Sequence, residues 1–206
     1  MSKDKKDFKF DKMAAVYDDS LAGKGSKRFY NLLLREITLT SGAAVLDVGC
    51  GTGAFLKKLS DTCSIIGFGV DIEKKMIEEA NKNHPQMNFQ VSSCENIPLD
   101  NSFLDAMVSC MAYHHFENKE GFAREASRLL KPDGVLYIAD PRFPWLIRKT
   151  LNGFFSLIRI NGGFLNPDET AERFSAYGFK CVGFAYDRYA QVVKLQKCAD
   201  NLTRSY

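Results

Sequence analysis

Apolar positions along the chain switch repeatedly between two periods. Phe29, Leu32, Leu33 and Ile37 recur at helical spacing ahead of a short apolar run, Ala43, Ala44, Val45, Leu46 and Val48, that suits a buried strand. Phe55, Leu56 and Leu59 return to helical spacing, and Ser64–Val70 is a second apolar strand ending at Asp71. Glu73–Asn83 carries Met76, Ile77 and Ala80 on one helical face, and Met87–Val91 gives a third strand. Leu104–Met111 gives a fourth strand, with Asp105 inside it. Phe122, Ala123, Ala126, Leu129 and Leu130 form a helical stripe that stops at a Pro132-Asp133-Gly134 turn. Val135–Asp140 is a fifth strand. Ile147, Leu151, Phe154, Phe155 and Ile158 predict a helix between Arg142 and Ile160, closed by Asn161-Gly162-Gly163. Pro167-Asp168-Glu169 opens a further helix with acids in its first turn, ending at Tyr177-Gly178. Phe179–Tyr186 and Ala190–Gln196, split by Asp187-Arg188-Tyr189, predict an antiparallel hairpin. Strands that alternate with helices call for a parallel sheet covered on both faces.

The junction after the first strand carries the chemistry. Val45 to Gly53 reads Val-Leu-Asp-Val-Gly-Cys-Gly-Thr-Gly, with glycines at 49, 51 and 53. Such glycines let a ligand approach the backbone closely. A dinucleotide site has G-x-G-x-x-G with pyrophosphate on the helix N-terminus. Here the third glycine comes one residue early, which argues against a nicotinamide oxidoreductase. The segment resembles motif I of the class I S-adenosylmethionine-dependent methyltransferases, acidic-x-G-x-G-x-G, with Asp47 as the acid. A second, independent stretch resembles the same family: Leu130-Lys131-Pro132-Asp133-Gly134-Val135-Leu136-Tyr137-Ile138-Ala139-Asp140 fits its L-K-P-x-G-x-L-x-I-x-D pattern. The likeness covers about residues 10–197.

The resemblance implies an α/β fold: a Rossmann-like, doubly wound, mostly parallel seven-stranded sheet with helices on both faces and an antiparallel C-terminal edge hairpin. It implies one methyltransferase domain over residues 1–206, with a flexible tail at 1–12 and a helical insertion at 142–163 over the substrate site. It also implies S-adenosylmethionine as cofactor, held by Asp47, Gly49, Cys50, Gly51 and Gly53 in the glycine loop. Asp71 would accept hydrogen bonds from the two ribose hydroxyls, with Ile72 and Met76 beside it. Ser93, Cys94 and Glu95 stand where the family has its G-D-A segment, so Ser93 replaces the usual aspartate. Cys110 and Met111 at the end of the fourth strand complete the set. Phe10–Asp18 is similar to a family segment, F…A…YD, that folds over the cofactor and would bring Tyr17 to it. A helix capping the sheet edge is the other reading of that stretch.

Methyl transfer chiefly requires alignment of an acceptor with the methyl group. Where the acceptor must lose a proton, His114 or His115, just past the fourth strand, is the candidate base. Only one of two adjacent residues on an extended segment faces a given side. Tyr17 and Tyr113 are secondary candidates for orienting the acceptor. Neither an Asn-Pro-Pro-Tyr nor a Pro-Cys segment follows the fourth strand, which argues against base-directed or glutamine methylation.

Composition narrows the partners. The chain has 206 residues, 45% hydrophobic and 26% charged, ordinary for one globular domain. A net charge of +3 is too small to suggest nucleic acid. A small, lipophilic or aromatic methyl acceptor remains, with pocket walls expected from Trp145, Phe154, Phe155 and Phe164. No run is long enough to span a membrane. The helix at 142–160 has Arg142, Arg148, Lys149 and Arg159 but no acid, so it either roofs the pocket or lies on a membrane surface. Six scattered cysteines without a C-x-x-C pair, and a Lys/Asp-rich N-terminus, imply a reduced, cytoplasmic protein, monomeric or homodimeric, without a metal. A non-catalytic protein that senses or holds S-adenosylmethionine or S-adenosylhomocysteine is the alternative to an enzyme.

Overall fold

In the computed structural model of the protein, residues 21–157 and 163–199 are described. The tail at 1–12, the Phe10–Asp18 segment with Tyr17, and Ile158 to Gly162 lie outside the described residues. Seven strands form one sheet: β1 (Ala43–Val48), β2 (Ile65–Asp71), β3 (Asn88–Val91), β4 (Leu104–Cys110), β5 (Leu130–Pro141), β6 (Phe179–Tyr186) and β7 (Ala190–Lys197). Their order is β3-β2-β1-β4-β5-β7-β6. The first five pair in parallel, and β7 pairs antiparallel with both β5 and β6.

Six helices accompany the sheet among the described residues: α1 (Leu21–Glu36), α2 (Ala54–Ser60), α3 (Lys74–Asn83), α4 (Lys119–Leu129), α5 (Trp145–Leu157) and α6 (Pro167–Ser175). Every residue of β1 is buried, because alternate side chains enter different cores. Ala43 and Val45 pack with Phe29, Leu33, Phe55 and Ile77 from α1, α2 and α3. Ala44, Leu46 and Val48 pack with Phe122, Leu129 and Phe174 from α4 and α6. After β1 the chain builds outward through β2 and β3, then returns to add β4 on the opposite side. The carboxyl ends of β1 and β4 therefore flank the crevice where a ligand of an open α/β sheet sits.

Two details differ from the sequence expectation. The helix predicted from Arg142 begins at Trp145, after Phe143 and Pro144, since proline disfavours helical geometry in the residue before it. Its apolar stripe is also rotated: Leu151 and Phe155 turn inward, whereas Ile147 and Phe154 are exposed. The Pro132-Asp133-Gly134 turn is held inside β5 as an irregularity. Leu104 pairs with Leu130 and Ala106 with Val135, so the intervening residues loop out around Asp133 at φ 62°.

The start of α6 is over-determined. Asn166 and Glu169 form a reciprocal capping box, Pro167 opens the first turn, and the Glu169 carboxylate also pairs with Arg148 of α5. The α5–α6 arrangement is thereby tied to the rim of the sheet.

Candidate active site

The glycine loop is shaped by two distinct demands. Gly49 has φ 78°, and a Cβ there would lie 2.4 Å from the Ala112 Cβ, so a side chain is excluded by the segment after β4. Gly51 has φ 53°, yet no described atom lies within 4 Å of its Cβ position. Its small size keeps space open rather than fitting a neighbour. The Gly51 N–H donates to Asp71 Oδ2 at 2.9 Å, and Asp71 Oδ1 accepts from the Glu73 N–H at 3.0 Å. Asp71 thus fixes the loop and starts α3 at once. Each oxygen still has a lone pair to offer.

Asp47 lies at the centre of this arrangement, 2% exposed at the carboxyl end of β1. Its Oδ1 has no hydrogen-bond partner among the described residues. Burial, and secondarily the negative charge of Asp71, push its carboxyl up to about 8. Burial likewise raises Asp71, against the backbone N–H groups of Glu73, Gly51 and Ile72. Two neighbouring carboxyls, one with an oxygen unpartnered among the described residues, thus face the glycine loop at the ends of β1 and β2.

The other expected cofactor residues are distributed unevenly. Ile72 is exposed beside Asp71, an apolar side chain at the rim of the crevice. Ser93 and Glu95 are exposed at the end of β3, and Glu95 accepts from Asn118 Nδ2 at 2.8 Å. The Cys94 thiol is raised to about 11 by burial and by Glu95. Cys50 and Cys110 are buried thiols raised by burial, then by Asp47. Met111 takes φ 58°, unusual for a side-chain residue. Met76 is buried on the inner face of α3.

The two histidines part company. Tyr113–His115 is a 3-10 turn, not an extended segment. His114 is buried, and its Nδ1 lies 2.8 Å from Oδ1 of the equally buried Asp140 at the end of β5. In the tautomer that donates Nδ1–H to the Asp140 carboxylate, Nε2 is the ring's free acceptor. Phe164 stacks on the His114 ring, centroids 4.9 Å apart at 22°. Gly163 N–H donates to the His114 carbonyl at 2.8 Å. His115 is exposed, its ring 4.0 Å from that of His114. Tyr113, expected as an acceptor contact, is instead packed in the core against Phe116, Phe122 and Phe174. With three residues per turn, successive side chains point about 120° apart, so Tyr113 and His114 can be buried while His115 is exposed.

Asp140 is the residue that sequence reasoning passed over as a site component. It appeared only as the last position of a motif, and its pairing with His114 joins neighbouring strand ends. Lys119 is another. Burial lowers its ammonium to about 8, with Asp140 opposing and Arg173 reinforcing. Its Nζ donates to the Phe116 carbonyl at 2.9 Å. Lys119 and Arg173 line a cavity of about 340 Å3 with Asn118, Asn152, Gly163 and Leu165, next to the His114 turn. Of the expected aromatic walls, Phe155 and Phe164 face inward at 5.9 Å, whereas Trp145 and Phe154 point to solvent. Among the described residues, no group of three or more His, Cys, Asp and Glu side chains is placed to hold a metal ion. All six cysteines are free.

The sheet order is that of the Rossmann-like fold found in solved S-adenosylmethionine-dependent methyltransferases. In particular, residues 46–138 match the model of the methyltransferase domain family. An uncharacterised methyltransferase of Oceanobacillus iheyensis is 28% identical over 198 residues, which span 93% of this chain and 91% of that protein. Some relatives are longer, and the chain spans 39% of one from Schizosaccharomyces pombe. The fold superposes with TM-score 0.78 and 21% identity on a methyltransferase solved with the Haloferax volcanii activator Trm112, covering 92% of this chain and 98% of that one. It also superposes with TM-score 0.70 and 16% identity on the [4+2]-cyclase SpnF, covering 84% and 80%.

Proposed function

We propose that the protein is an S-adenosylmethionine-dependent methyltransferase acting on a small-molecule acceptor with an O, N or C nucleophile. The observation that carries this reading is Asp47, a buried carboxyl with an unpartnered oxygen beside the open Gly51 backbone. A ligand with a positively charged end meets both features. Asp47 would face that charge, Asp71 would take the ribose hydroxyls, and Ile72 would cover an apolar face of the base. Ser93 has no carboxylate to offer the adenine amino group, so backbone groups near β3 would read it. Bound there, S-adenosylmethionine supplies a methyl group already activated on a sulfonium.

The protein's own contribution is to place the acceptor and manage its proton. His114 Nε2 would take that proton, while Asp140 holds Nδ1–H and stabilises the imidazolium formed. Phe164 fixes the ring plane, and the neighbouring cavity receives the acceptor. The helix α5 acts as a roof over this side of the site: Asn152 exchanges two hydrogen bonds with the Phe164 backbone, at 2.8 and 3.0 Å, where Phe164 stacks on His114. The +3 net charge favours a small acceptor over nucleic acid, and six free cysteines suit a reducing, cytoplasmic setting.

A second reading, a protein that holds the cofactor without methylating, is favoured by the missing carboxylate at Ser93. The likeness to a cyclase shows that this fold serves chemistry other than methyl transfer. Calorimetric titration with S-adenosylmethionine and S-adenosylhomocysteine tests the shared premise, with Asp71→Ala as control. Binding lost in the variant supports the site, and absence of binding to the wild type refutes it. Product S-adenosylhomocysteine formed with an acceptor panel then separates enzyme from holder.

A further inference from the structure

We infer that the outer face of α5 is a docking surface for an anionic lipid membrane. None of the thirteen residues of α5 is buried. Trp145, Leu146, Ile147, Phe154 and Leu157 are between 51% and 80% exposed, an apolar density that isolated surface residues do not reach. The inner face is already committed: Arg148 pairs with Glu169, Asn152 bonds the Phe164 backbone, and Phe155 packs towards the Phe164 ring. A helix apolar on both sides requires a cover on each. The sheet side has one and the outer side has none among the described residues.

Charge selects the cover. From Pro141 to Leu157 the sequence contains Arg142, Arg148 and Lys149 and no acidic residue. With Arg148 taken inward by Glu169, Lys149 is the charge that α5 presents outward. Lys149 stands on the outward side with its ammonium 5.1 Å from the centroid of the Trp145 ring. Indole beside ammonium, flanked by aliphatic side chains, is the composition of a helix lying in a headgroup layer. A two-fold dimer through this face would bring Lys149 towards its own copy with no carboxylate to answer it. The ridge is a convex single helix, which can enter a fluid interface without a matching groove. Because it needs neither cofactor nor turnover, this inference stands apart from the methyl-transfer reading.

Trp145 is the only tryptophan of the chain and so reports the contact directly. The full chain is mixed with vesicles of phosphatidylcholine alone or with about one-third phosphatidylserine, then assayed by sedimentation and Trp145 emission. The expected result is co-sedimentation and a blue shift with the anionic vesicles, weakened by salt. Leu146→Glu with Leu157→Glu should cut vesicle affinity at least tenfold, on the order of one buried leucine's contribution. Both side chains point outward, so the thermal midpoint of that variant should be unchanged, which separates lost docking from lost fold. Lys149→Glu should weaken binding to anionic vesicles as well. Absence of co-sedimentation and of any emission change with anionic vesicles overturns the inference. So does undiminished binding by the double variant. A lipid-free, concentration-dependent dimer that the double variant abolishes also overturns it, since a second copy would then be the cover.

Discussion

Replacing Asp47 with asparagine removes a carboxyl that folding takes out of water and leaves half unpartnered. In the unfolded chain the group ionises near 3.8, and in the folded chain near 8. Between those values the folded state holds a proton that the unfolded state has released. Wild-type stability therefore falls as pH rises, by about 1.36 kcal/mol per unit, and the loss is complete above about 8. At pH 7 the accumulated cost is about 4 kcal/mol. The asparagine amide is itself buried without a full set of partners, which returns about 1–3 kcal/mol. Asp47→Asn is thus expected to be more stable than wild type at pH 7 by about 1–3 kcal/mol, a rise of several degrees in Tm for a chain of this size. The slope is more diagnostic than the offset. Urea unfolding of both proteins at intervals from pH 5 to 8 should show the gap widening in favour of the variant by about 3–4 kcal/mol. Asp71 is present in both chains, so its own titration largely cancels in the difference. A gap that stays constant, or that shrinks with rising pH, would refute the assignment of a protonated, buried Asp47.

The loop glycines should separate by mechanism. Gly49→Ala forces a Cβ against Ala112 at positive φ and is expected to cost about 3 kcal/mol of stability, read by denaturant unfolding. Gly51→Ala meets open space and should cost only about 1–2 kcal/mol while abolishing calorimetric binding of S-adenosylmethionine. Asp140→Asn keeps the geometry but loses the negative partner of His114. With an acceptor found, methyl transfer should slow about 10²-fold or more while cofactor affinity is unchanged, and parallel loss of affinity would assign Asp140 to folding instead.

Which of these features could be read from the sequence follows from their range. Strands and helices were legible because each is encoded by its own neighbours: the β1 run, the α3 face and the Gly178 stop all appear within the expected boundaries. The placement of Asp47 and Asp71 at the ends of β1 and β2 follows from the motif and the apolar runs that precede them. The hydrogen bond from Gly51 to Asp71 was not, since it joins two strands twenty positions apart. The choice between His114 and His115 depended on a 3-10 turn, which no periodicity in three residues can announce. The orientation of α5 was misjudged for a related reason. Its apolar stripe is broad, and the inner face is set by Arg148 and Asn152, polar residues whose partners lie on α6 and near Phe164.

Asp47 and α5 share one physical logic. Neither serves the folded chain alone, because burying a lone carboxyl opposes stability and leaving five large apolar side chains exposed adds none. Elsewhere many side chains are tied closely, while Ser109 Oγ, Tyr113 Oη and Arg173 Nε also lack a partner among the described residues. Arg128 alone donates to Glu125, Asn101 and the carbonyls of Ile97 and Leu99, tying the loop after β3 to α4. On the two proposed readings, both features are completed from outside the chain. At Asp47 the proposed complement is small, cationic at one end and able to enter beside Gly51. At α5 it must be broad, apolar and anionic. The two features use different side chains: Asp47 lies at the end of β1, whereas the exposed residues lie on the outer face of α5 after β5. A cofactor from water and an apolar surface can therefore be engaged together without competing for the same side chains.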